Sequence, residues 1–83
     1  MSPEEIKTLR IRLGYTQVQF AETLGLVRLS VSQYETGFRE PGSTMLILFR
    51  VLDSLPKKKA LWLLELFKSQ SKNSSQKRKD SKA

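Results

Sequence analysis

TQVQFAETLGLVRLSVSQYETG, residues 16–37, decides how the rest of the chain is read. Thr16 with Gln19 three residues on forms a reciprocal cap, each side chain meeting the other residue's backbone N–H, and Phe20, Ala21 and Leu24 then recur at helical spacing. Gly25 supplies the positive φ that a tight turn needs, and the small side chain of Ala21 lets a second helix cross closely. Leu26, Val31 and Tyr34 share the inward face of the following segment, which Gly37 ends. The stretch predicts two short helices joined by a tight turn.

Arg28, Leu29, Ser32 and Gln33 are left facing outward or flanking that inward face. These side chains suit base reading: Arg donates two bonds to guanine O6 and N7, Gln bonds adenine N6 and N7, and Leu29 offers an apolar tip to a thymine methyl. Ser30 and Ser32 are short and better matched to the sugar-phosphate backbone. Gln17 falls in the first turn of the preceding helix, where free N–H groups and a partial positive charge favour a phosphate. The plain alternative for each of these residues is a solvated helix face.

Outward from this stretch, Ser2, Pro3 and Glu5 make a second capping box and start a helix that carries Ile6, Leu9 and Leu13 on one face and stops at Gly14. Its arginines, Arg10 and Arg12, are candidate phosphate contacts. Glu35 is repelled by a polyanion unless a cation inside the fold neutralises it, and Arg10 is the expected partner.

Taken together, LGYTQVQFAETLG, LVRLSVSQYETG and the following FREP resemble the helix-turn-helix of the XRE family, to which the lambdoid phage repressors and Cro belong. The resemblance covers about residues 4–53 and rests on Gln17, Phe20, Ala21, Leu24, Gly25, Val31, Tyr34, Glu35, Gly37, Arg39 and Pro41. It implies an all-α fold, a compact bundle of four or five helices of the lambda-repressor kind, that binds double-stranded DNA. It also implies phosphate contact by Gln17, base contact by Arg28, Leu29 and Gln33, and backbone contact by Thr36 and Arg39. Two positions depart from the pattern. Most relatives carry Ser or Thr as the cap of the second helix where this chain has Val27, and a polar residue where it has Leu29. Losing that cap costs about 0.5–2 kcal/mol unless Ser30 or a phosphate meets the exposed N–H groups.

A fourth helix, from Gly42 or Ser43 to about Asp53, is expected to give the core Met45, Leu46, Leu48, Phe49 and Leu52. Pro56 restarts the chain. Lys57, Lys58 and Lys59 then oppose the dipole of a fifth helix, so apolar packing must hold it. Ala60, Leu61, Trp62, Leu63, Leu64, Leu66 and Phe67 surround most of its circumference, more than one small domain buries. Leu61, Trp62, Leu63, Leu66 and Phe67 are therefore the expected homodimer interface, since a two-fold pair sets two reading helices about 34 Å apart along a duplex. Closure of the protein's own core, or an unlike partner such as a toxin, are the other occupants. The division is thus a DNA-binding domain with its dimerisation helix over 1–68 and a basic tail over 69–83, polar enough to be expected disordered.

Composition narrows the function classes. A chain of 83 residues has room for one small domain. It carries neither Cys nor His, which removes disulfides, nearly every zinc site and the commonest general base, so neither an enzyme nor a cofactor is expected. The net charge of +7 suits a polyanion, and more than half of the excess lies in the tail, where Lys72, Lys77, Arg78, Lys79 and Lys82 face only Asp80. No apolar run is long enough to span a membrane, and the acidic start does not read as a signal peptide, so a cytoplasmic, nucleoid-associated protein of bacterial or phage kind is expected. The leading reading is a sequence-specific, dimeric and autoregulatory repressor. The competing one is an interaction module, such as an antitoxin binding its toxin through helix five, in which DNA binding is secondary.

Overall fold

A computed structural model of the chain describes the backbone over residues 1–82 and the side chains through residue 70. Among the described residues the fold is all-α, with α1 (Pro3–Arg12), α2 (Gln17–Leu24), α3 (Arg28–Thr36), α4 (Ser43–Ser54) and α5 (Lys57–Lys82). Both expected capping boxes form. The Ser2 N–H donates to the Glu5 carboxylate at 2.7 Å and the Glu5 N–H returns to the Ser2 hydroxyl at 3.2 Å. Thr16 and Gln19 repeat the exchange at 3.0 and 3.1 Å. α2 ends at Gly25 in the left-handed conformation, φ 73°, and Leu26 then donates back to the Ala21 carbonyl at 2.8 Å, fixing the turn into α3.

The core is built where the helices cross. Ile6, Leu9 and Leu13 from the first segment, Phe20 and Ala21 from α2, and Val31 and Tyr34 from α3 close around Phe49 and Leu52 of α4. Phe20 stacks on Phe49 with ring centroids 5.9 Å apart, and Tyr34 meets Phe49 edge-on at 6.4 Å. Burial of this aromatic group brings α2, α3 and α4 together at one point. α5 contributes Ala60 and Leu64, both fully buried.

Three expectations need correcting here. Met45, Leu46 and Leu48 are only half-buried, because α4 gives its innermost positions to Phe49 and Leu52, although Met45 and Leu48 still pack against that core. Arg10 is engaged inside the fold, where it reaches Glu35, whereas Arg12 stays exposed, donating to the Leu52 carbonyl at 3.4 Å and standing 3.8 Å from Asp53. Helix α5 runs to Lys82, so its backbone continues past residue 68, where the domain was expected to give way to the tail. The rest of the expected basic tail, residues 71–83, lies outside the residues whose side chains are described.

Candidate nucleic-acid interface

The geometry of the outer surface formed by α2 and α3 begins with one carboxylate. Glu35, with 3% of its side chain exposed, accepts from Arg10 Nε at 2.6 Å and from Arg10 Nη2 at 3.1 Å, a two-pronged pair. Gln17 Nε2 donates to the same carboxylate at 3.2 Å, and Arg10 Nη1 donates to the Tyr15 carbonyl at 2.8 Å. One buried acid thus ties α1, the start of α2 and the end of α3 together. The Arg10–Glu35 pair follows the sequence expectation; the Gln17 bond does not, because nothing in the local pattern places an amide 18 residues away against that acid.

Around this anchor α3 turns its polar side outward. Residues one turn apart share a face, so Arg28 lies above Ser32 and Leu29 above Gln33. Arg28 and Leu29 are exposed, while Ser30, Ser32 and Gln33 are half-buried on the flanks. Thr36, at the exposed end, donates its hydroxyl to the Gln33 carbonyl at 3.3 Å, and the exposed Arg39 donates its N–H to the same carbonyl at 3.3 Å. Val27 occupies the cap position without a side-chain bond, and the Ser30 N–H instead takes the Val27 carbonyl at 3.0 Å. The helix nevertheless begins at Arg28. Gln17 is half-buried at the mouth of this surface, with one amide hydrogen committed to Glu35 and the second free of that bond. Arg28 and Arg39 are the cations of this surface; the acid beneath it, Glu35, is neutralised from within, and the exposed Glu40 adjoins Arg39.

The α5 residues divide into two groups. Leu61 and Leu63 are half-buried, whereas Trp62, Leu66 and Phe67 are 64%, 44% and 39% exposed. Trp62 and Leu63 border an apolar groove with Leu55 and Lys59. The chain features missed by sequence reasoning are apolar: Phe38, 81% exposed just after Gly37, and Ile47 and Val51 on the open side of α4. The outward setting of Ile47 and Val51 depends on which face of α4 the Phe49 cluster claims. Among the described residues no group of Asp and Glu could hold a metal ion, and no helix is long and apolar enough to cross a membrane.

Two helices crossing at a left-handed glycine, the second with a cationic, hydrogen-bonding outer face, define a helix-turn-helix nucleic-acid-binding protein. A family model described as helix-turn-helix, HTH_3, matches residues 6–49, just over half of the chain, and the protein belongs to that family, of the XRE/Cro-C1 type. No curated protein and no solved structure matches the chain. Membership carries DNA binding in the service of transcriptional regulation, in a family of regulators rather than enzymes.

Proposed function

We propose that the protein is a sequence-specific repressor that binds an inverted-repeat operator as a two-fold dimer and regulates its own promoter by occluding it. The observation that carries this reading is the outer face of α3, where Arg28 and Leu29 are exposed and Gln33 lies half-buried beside them on a helix braced by the Arg10–Glu35 pair. In this reading Arg28 and Gln33 bond base edges, and Leu29 packs on a thymine methyl. Gln17 uses its uncommitted amide hydrogen on a phosphate, while Ser30, Ser32, Thr36 and Arg39 meet the sugar-phosphate backbone and fix the register.

Dimerisation is supported by the apolar side chains that α5 leaves in solvent. Trp62, Leu66 and Phe67, with the half-buried Leu61 and Leu63, offer a self-complementary surface of the kind that a two-fold axis pairs with itself. The same exposure favours a second reading, in which an unlike protein such as a toxin occupies this helix face and DNA binding is secondary. The tail cations add phosphate contacts, each steepening the salt dependence of affinity by roughly one unit.

Selection of bound sequences from random duplexes tests the proposal. The expected outcome is a palindrome whose half-sites are centred about one helical turn apart. Enrichment of one half-site removes the dimer, and no enrichment removes sequence-specific binding altogether.

A further inference from the structure

Val27 and Leu29 flank Arg28 at the start of α3, 66% and 64% exposed. A single aliphatic residue in solvent needs no explanation, but these two coincide with the only cation of the helix. Val27 also holds a position where Ser, Thr, Asp or Asn stabilises the helix by capping it, and it makes no cap bond. The tip of α3 therefore gives up both solvation and a cap in order to be apolar. The polar side chains of the same surface, Ser32 and Gln33, lie one turn further on, so the apolar character is confined to the first turn.

On the floor of the major groove the 5-methyl of thymine is the one apolar group among the edges of the four bases, and 5-methylcytosine carries the same group. An aliphatic side chain set instead against a cytosine amine would desolvate that donor and leave it unpaired. We infer that Val27 and Leu29 make the protein selective for DNA that carries pyrimidine 5-methyl groups, thymine or 5-methylcytosine, on the base pairs flanking the guanine read by Arg28. The inference rests on the reading of α3 as the base-reading helix, and it adds Val27 to the residues that set specificity.

Binding of the full chain to its selected duplex, followed by fluorescence anisotropy, tests it. Deoxyuridine in place of the flanking thymines removes the methyl and nothing else. The expected result is a loss of about fourfold in affinity per methyl, the worth of one buried methyl-sized group, with 5-methylcytosine binding more tightly than cytosine at the same position. In the Val27→Ala, Leu29→Ala double variant both differences shrink to near one. Both residues lie outside the core, so an unchanged thermal midpoint establishes that the variant is folded. Equal affinity for thymine and deoxyuridine duplexes overturns the inference, as does a methyl effect that persists undiminished in the double variant, since duplex shape would then be its source. Methyl-indifferent binding sinks this inference alone; failure to bind any selected duplex sinks the base-reading role of α3 with it.

Discussion

At the residue scale, Glu35 holds the proposed reading surface in place. Its carboxylate is nearly out of water and is neutralised by the two-pronged contact from Arg10, with Gln17 as a third donor. Breaking such a pair on one side leaves a buried charge, so Arg10→Met is expected to destabilise the fold by about 3–5 kcal/mol in denaturant unfolding. Adding Glu35→Leu to that variant should recover most of the loss, because the charge that made it costly is gone. A single variant within about 0.5 kcal/mol of the parent, the range of ordinary surface changes, would remove Glu35 from this role. The pair itself was legible in the sequence, since an acid on a DNA-facing helix demands an internal cation and Arg10 was the candidate. The Gln17 bond was not, because it depends on where the start of α2 falls once Phe20 and Ala21 are packed.

At the scale of the element, local chemistry sets the helix ends. Glu5 is held below its ordinary pKa of 4.5, first by the Ser2 backbone N–H and then by the Ser2 hydroxyl. A depressed carboxylate contributes stability that is present above 4.5 and is lost as pH falls through the lower folded value. The parent should therefore lose more stability than Glu5→Gln as pH falls below 4.5, by thermal unfolding across that range; parallel curves would mean the cap is energetically silent. Gly37 offers a second check. Gly37 and Gly14 both have φ above +80°, but a Cβ on Gly37 meets Pro3 Cγ at 3.3 Å whereas one on Gly14 meets nothing within 4 Å. Alanine at either position should cost about 1–2 kcal/mol for the left-handed backbone, and Gly37→Ala should cost more. Equal losses would show that the approach to α1 is slack. Caps and stops were readable because each lies within a few residues of its partner. The half-burial of Met45, Leu46 and Leu48 was not, because periodicity marks an apolar face without saying how much of it the neighbouring helices cover.

At the scale of the whole molecule, α5 links the fold to the proposed assembly. Its sequence showed too many apolar residues for one domain, and the structure divides them: Ala60 and Leu64 inward, Trp62, Leu66 and Phe67 outward. Replacing Trp62 and Leu66 by Ala should leave the fold intact, since neither belongs to the buried core, and should lower the sedimenting mass to that of one chain. An unaltered dimer mass would place the pairing surface elsewhere, and a monomeric parent would leave α5 to an unlike partner.

The central claim is that the outer face of α3 reads DNA, and the most direct measurement is the affinity of an Arg28→Ala, Gln33→Ala variant for the selected duplex beside the parent. Each lost two-bond contact is worth about 1–3 kcal/mol of discrimination, so binding should fall at least tenfold, with preference at the contacted base pairs relaxed and the thermal midpoint unchanged. A folded variant that binds the same duplex with parental affinity and selectivity would contradict the account.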